Sequence, residues 1–114
     1  MTVLYKICPA PLWREAKRAG VFRGSEVDRR DGFIHFSTGA QVAETASKHF
    51  AGQSDLLLVS VNATQLGDRL KWEPSRGGTL FPHLYGELEV TAVARVEPLL
   101  LGPDGRHVFP PLAD

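Results

Sequence analysis

A single domain that mixes short helices with many short strands is predicted by three observations. Two stretches, near residues 11–19 and 40–50, repeat apolar residues with helical period between start and stop signals. Several other runs are rich in Val, Ile, Leu or Phe and too short for helices, as strands are. No repeat period, low-complexity tract or flexible linker divides the chain. Its 114 residues, 43% of them hydrophobic, fit one domain (1–114) that can bury a core without disulfide or metal staples.

Residues 3–8 read as a first strand. Pro11 suits the first turn of a helix carrying Trp13, Ala16, Lys17 and Ala19, and Gly20 is placed to stop it. Residues 23–32 read as a polar stretch, with turn-formers at Gly24-Ser25 and Asp31-Gly32, before a strand over 33–37. Thr38-Gly39-Ala40-Gln41 has capping-box spacing, and Ala40, Ala43, Ala46 and Phe50 recur with helical period until Gly52. Residues 55–62, with Val59 and Val61, read as a central strand, and 70–73 as a short one after a turn near Gly67-Asp68. Residues 74–79, with Gly77-Gly78, form the most loop-like interval. Pro82 cannot donate to a sheet ladder, which predicts an edge or a loop for 81–86. Residues 87–101 read as one or two closing strands, and the proline-bearing tail from Gly102 as irregular.

Lys+Arg and Asp+Glu each number 13, so no net field draws the chain to nucleic acid or to an anionic membrane. Arg29-Arg30 lies between Asp28 and Asp31, and Arg14, Lys17 and Arg18 fit a solvated helix face. The one cysteine, Cys8, can form neither an internal disulfide nor a cysteine zinc cage; its apolar run predicts a buried small hydrophobe. No stretch has the apolar length of a signal-peptide core or a membrane span. A cytoplasmic protein with no membrane partner is expected.

The residues able to do chemistry concentrate in Asp31-Gly32-Phe33-Ile34-His35-Phe36-Ser37-Thr38 and Phe81-Pro82-His83-Leu84-Tyr85-Gly86. Strand alternation puts Phe33, His35 and Ser37 on one face and Ile34, Phe36 and Thr38 on the other; it likewise groups Phe81, His83 and Tyr85. With Ile34 and Phe36 supplying the core side, the imidazole of His35 and the hydroxyl of Ser37 are free for ligand chemistry. A structural histidine on a backbone carbonyl is the competing reading. The helix expected after Thr38 adds unpaired N–H groups that suit an anion. Tyr85 suits either stacking on a planar ring or half-buried packing.

Glu73, beside Trp72, reads as an acid–base or ribose-binding carboxylate or as a solvated strand end. Arg76, ahead of two glycines, is placed either to clamp a phosphate or to wave in a loop. Asp31 falls in phase with His35 but reads as a turn residue. A metal would need His35, His83 and a carboxylate such as Glu73 brought together, and no metal site is expected. His49 and His107 read as structural or exposed. Gly-x-Gly-x-x-Gly, Walker and Gly-x-Ser-x-Gly signatures are absent.

Together with Tyr5-Lys6-Ile7, Trp13, Gln41-Val42 and Leu70-Lys71-Trp72-Glu73, the two histidine motifs resemble, over nearly the whole chain, a small bacterial family of unknown function numbered 952. The resemblance implies an α+β, ADP-ribosylation-like fold, in which a split, bent β-sheet with two main helices holds nicotinamide dinucleotide in a cleft. It implies for His35 the role of the strand histidine that contacts the cofactor ribose, and for Tyr85 that of the aromatic packed on nicotinamide. The late glutamate of such enzymes has no clean match: Glu73 precedes Tyr85, leaving Glu87 and Glu89 as substitutes. The expected ligand is NAD or another nucleotide-type small molecule, bound by Ser37, Thr38, Arg76 and Tyr85. His35, Glu73 and His83 would act in ADP-ribosyl transfer or NAD hydrolysis if the site is catalytic. The alternatives are a non-catalytic ligand- or protein-binding module and, behind it, a metal-dependent hydrolase using His35, His83 and Glu73.

Overall fold

Alternation along β1 (Val3–Pro9) sends Leu4, Lys6 and Cys8 to one side of a sheet and Tyr5 and Ile7 to the other. All five are buried, so each side needs a covering layer. The computed structural model describes residues 2–75 and 77–113 and supplies both layers. On the first side, Leu4 and Cys8 pack with Trp13, Ala16, Phe22, Ile34 and Phe36. On the second, Tyr5 and Ile7 pack with Val42, Ala46, Leu58 and Leu99. Cys8 is the small buried hydrophobe its run predicts, and burial pushes its thiol up to about 11.

The helix α1 (Ala10–Ala19) leaves β1 directly, carries Pro11 in its first turn, buries Trp13 and Ala16, and ends on the left-handed Gly20. β5 (Leu56–Asn62) runs antiparallel to β1 along its whole length, and β9 (Val93–Leu101) pairs with β5. With β4 (Ser37–Thr38) and β10 (His107–Val108), they form a five-stranded sheet of order β10-β9-β5-β1-β4. A second, three-stranded sheet has order β3-β7-β6, from β3 (Ile34–His35), β6 (Leu70–Ser75) and β7 (Thr79–Leu84). A small ribbon joins β2 (Val21–Phe22) to β8 (Leu88–Glu89). The result is an α+β fold with a curled, split sheet. The chain crosses the split at Phe36, between β3 in one sheet and β4 in the other.

Several expectations need correcting. The polar 23–32 stretch holds a helix that was not expected, α2 (Glu26–Asp31), capped reciprocally by Ser25 and Asp28 and ended by Gly32. Its one apolar residue, Val27, is exposed, and its one buried residue is Asp28, so it lacks the apolar stripe by which helices are read. The helix α3 (Val42–His49) begins after the Thr38–Gln41 pair, not within it. Gln41 Oε1 accepts from the Thr38 N–H at 3.0 Å and the Gln41 N–H donates to Thr38 O at 3.1 Å, so this spacing builds a turn. Ala40 and Ala43 consequently face solvent, and Val42 and Ala46 are the buried pair.

Nor is the Pro82 segment an edge, since β7 lies between β3 and β6. The carbonyl of Pro82 accepts from the Phe36 N–H at 3.0 Å. A residue's nitrogen and carbonyl point the same way across a strand, so the missing N–H faces the place where the chain leaves β3 for β4. No ladder bond is lost there. The tail is held as well: β10 pairs with β9, and the Ala113 N–H donates to Tyr5 Oη at 2.7 Å. Among the described residues no helix is long and apolar enough to cross a membrane.

Candidate functional site

Register brings the two histidine segments together. His35 on β3 lies directly opposite His83 on β7, and Lys71 on β6 lies opposite His83 from the other side. The two imidazole centroids are 5.4 Å apart at 68°. Ile34 and Leu84, on the reverse face, are fully in the core. Phe33 stacks on His83 at 4.0 Å and 23°, and its ring also meets His35 at 4.6 Å and Tyr85 at 5.2 Å. His83 is thus buried beneath Phe33, whereas His35 (33% exposed side chain) and Tyr85 (41%) form an open rim.

Each imidazole is anchored by a carboxylate. His83 Nδ1 donates to Glu73 Oε1 at 2.8 Å, and Tyr85 Oη donates to the same oxygen at 2.7 Å. With Nδ1 carrying the hydrogen, a neutral His83 has its lone pair at Nε2. The hydrogen bonds from His83 and then Tyr85 hold the Glu73 carboxyl below its ordinary range, and the bond to Glu73 raises the Tyr85 phenol. The apolar neighbour Trp72 therefore does not set Glu73's acidity: alternation turns it to the other face of β6.

His35 is held from both sides, Nδ1 by Asp28 Oδ1 at 2.6 Å and Nε2 by Asp31 Oδ2 at 3.0 Å. Carboxylates only accept, so this geometry suits a ring with N–H on both nitrogens. Asp28 also accepts from the His35 N–H at 3.1 Å and the Ser25 N–H at 2.9 Å, and Lys6 Nζ lies 2.9 and 2.8 Å from its two oxygens. Burial by itself would raise the Asp28 carboxyl, but the His35 hydrogen bond, the Lys6 charge and the Ser25 N–H outweigh it and hold the group far below its ordinary range.

That depression fixes a sign. The Asp28 contribution to stability is complete above the ionisation of an unfolded aspartate, about pH 3.9, and is lost as pH falls below it. Thermal melts between about pH 5 and pH 2 should show the wild type losing stability more steeply than Asp28→Asn; parallel curves would remove Asp28 as the source of the acid limb.

Not every expected site residue joins this cluster. Ser37 is buried in the other sheet opposite Tyr5, and its hydroxyl meets Thr45 Oγ1 on α3 at 2.8 Å. The break at Phe36 separates it from His35. Thr38 pairs with Leu4 and shares the turn with Gln41, so α3 starts beyond that turn, at Val42, and not next to Thr38. Arg76 lies outside the described residues. Of the substitute glutamates, Glu87 is paired to Arg23 at 2.6 Å and Glu89 sits opposite Val21 in the ribbon. Among the described residues, no three His, Cys, Asp or Glu side chains are grouped to hold a metal ion.

Lys6, Asp28 and Asp31 are the site residues that sequence reasoning left out, and Asp31 closes α2 rather than making a turn alone. Two signals pointed to them. Lys6 falls in phase with Leu4 and Cys8 on a core-facing strand side and therefore needs a buried counter-charge; Ser25-x-x-Asp28 has capping-box spacing.

Comparison with known proteins places the chain in a family. A family described as "Protein of unknown function (DUF952)" matches residues 7–96. The crystal structure of protein CC0527 from Caulobacter crescentus is 51% identical over 94% of this chain and 94% of that one, with a TM-score of 0.90. A double-methionine variant of the same protein gives 50%, 94%, 94% and 0.90. The solution structure of CC0527 gives 53% identity over 93% of this chain and 91% of that one, with a TM-score of 0.84. No curated protein matches the chain. The family resemblance carried by the two histidine motifs holds over most of the chain, which belongs to the DUF952 family of proteins of unknown function.

Proposed function

We propose that the recess rimmed by Phe33, His35 and Tyr85 binds the planar ring and ribose of a nucleotide-type ligand, with NAD as the leading candidate, in a fold of ADP-ribosylation type. The observation that carries this reading is the pair of carboxylate-anchored imidazoles, 5.4 Å apart, set against partly exposed aromatic rings. Stacking of a base on an aromatic side chain contributes about 1–3 kcal/mol, and Phe33 and Tyr85 offer that surface. His35 is oriented through Nδ1 by buried Asp28, so Nε2 can donate to a ribose hydroxyl in place of the more exposed Asp31.

Glu73 supplies the carboxylate for chemistry at ribose. It precedes Tyr85 in sequence yet bonds to it in space, and Oε2 makes no hydrogen bond among the described residues. In NAD cleavage the C1′–N bond breaks, its electron pair leaves with nicotinamide, and a carboxylate stabilises the developing oxocarbenium. Water or an acceptor hydroxyl then bonds C1′ and gives up its proton. The second reading, a binding module without turnover, is favoured by the engagement of Glu73 Oε1 with two donors, which ties down the carboxylate needed for the reaction.

Titration calorimetry with NAD, ADP-ribose and mononucleotides should give saturable binding that His35→Ala weakens at least about tenfold, the scale of one charge-assisted hydrogen bond. Absence of saturable binding to the wild type sinks the proposal. Nicotinamide released in molar excess over protein, and lost in Glu73→Gln, selects catalysis; binding without release selects the module.

A further inference from the structure

We propose that the cavity beside Phe33 is an anion subsite, so that the ligand of the aromatic recess carries a phosphate held there by Arg29 with help from Arg23. This inference rests on the nucleotide reading above and narrows it to phosphorylated ligands. The cavity is a depression of about 310 Å³, at the lower end of the range for ligand pockets and open to solvent on its outer side. Arg23, Arg29, Gly32, Phe33, Gly86 and Glu87 line it, with Asp28 at its inner wall. Phe33 belongs to both the recess and the cavity. The recess and the cavity are therefore neighbours on the surface, joined at Phe33.

Charge indicates what the substituent is. Asp28 is already answered by Lys6 and His35, and Glu87 by Arg23 at 2.6 Å. Arg29 is exposed, and its guanidinium has no carboxylate partner among the described residues. Among the described lining residues, Arg29 is thus the cation with no carboxylate opposite it. A guanidinium takes phosphate oxygens in parallel pairs, and the Arg23–Glu87 pair, with side chains 58% and 51% exposed, is open enough to exchange one anion for another. The glycine at 32 presents no side chain and has open space where a Cβ would stand, which leaves room for a phosphate against the backbone. The competing occupant is a neutral sugar bonded by Asp28 and Glu87.

Calorimetry with adenosine, AMP and pyrophosphate separates these outcomes on the wild type, Arg29→Gln and Arg23→Gln. AMP should bind the wild type about tenfold more tightly than adenosine, one charge-assisted contact's worth, and Arg29→Gln should remove most of that advantage while leaving adenosine affinity unchanged. Arg23→Gln should reduce it in part. Pyrophosphate should bind the wild type and lose affinity in Arg29→Gln, with salt weakening both effects. Equal affinities of adenosine and AMP for the wild type overturn the subsite and leave the aromatic reading intact. So does an Arg29→Gln protein that binds adenosine and AMP with the same relative loss. Arg29-dependent pyrophosphate binding without any adenosine binding supports the subsite and removes the aromatic reading instead. No binding of either AMP or pyrophosphate overturns the subsite.

Discussion

Lys6→Met should destabilise the fold by about 3 kcal/mol or more, the scale of breaking a buried ion pair from one side. Methionine matches much of lysine's length, and its thioether is a good occupant of a core-facing strand position. Packing alone would therefore leave stability unchanged or improved. The sign is decided by the partner. Asp28, with a side chain 1% exposed, keeps its charge in a site whose desolvation cost the ammonium had offset. Hydrogen bonds from His35 and Ser25 remain and limit the loss, which places the expected value at the lower end of the range for such breaks. Urea denaturation gives the magnitude. In the Lys6→Met, Asp28→Asn double variant, much of the Lys6→Met loss should return, because the orphaned charge is gone; that coupling isolates the pair. Acid unfolding of Lys6→Met should also begin at higher pH, since one of the groups depressing Asp28 is absent. A loss below about 1 kcal/mol would mean that His35 alone compensates Asp28, and that the ammonium is dispensable.

The same residues explain what was and was not legible in the sequence. The first helix, the strands β1 and β5 and the burial of Cys8 could be read because apolar pattern and Pro–Gly punctuation agreed with one another, although the pairing of the two strands could not. The helix α2 was not, because its buried side chain is an aspartate and its apolar one is exposed. Hydrophobic pattern carries no information about an element docked by charge. Alternation grouped Phe33 with His35 correctly but continued through Ser37, where the chain changes sheets at Phe36. A strand's period is local, whereas its partners are not. Pro82 misled for the complementary reason: its missing donor argues against a ladder bond on one side, and there the chain is leaving β3 and takes only the Pro82 carbonyl, through the Phe36 N–H.

Juxtaposition was the part of the candidate site that the sequence withheld. Glu73 and Tyr85 are twelve residues apart and His35 and His83 lie on separate motifs, yet hairpin register and one strand pairing set them in a single cluster. Glu73 looked misplaced for a carboxylate acting at ribose because chain order was the available guide. In space it shares one oxygen between His83 and Tyr85. Lys6 is the reverse case. Its phase in β1 announced a buried charge, but the partner arrives from α2, an element whose only advance signal was a serine three residues before an aspartate.

Gly24→Ala tests how tightly the Asp28 anchorage is built, and it should cost about 2–5 kcal/mol from backbone strain and overpacking together. Gly24 is buried at φ +106°, a conformation side chains rarely adopt, and an added Cβ would lie 2.7 Å from Asp28 Cβ and 3.4 Å from its Oδ2. The carboxylate cannot retreat cheaply, because five contacts from Lys6, Ser25 and His35 fix it. Gly20→Ala is the control: it too has positive φ, +85°, but nothing lies within 4 Å of the new atom. Its cost should be confined to about 1–2 kcal/mol of backbone strain. The two variants also differ in what they disturb. Displacing Asp28 should shift the ring resonances of His35, read by ¹H–¹⁵N correlation spectra, and weaken any ligand that depends on His35, whereas Gly20→Ala should leave both unchanged. Equal losses of stability, with His35 resonances unmoved in each, would show that Asp28 gives way freely and that the orientation of His35 is not set by this contact.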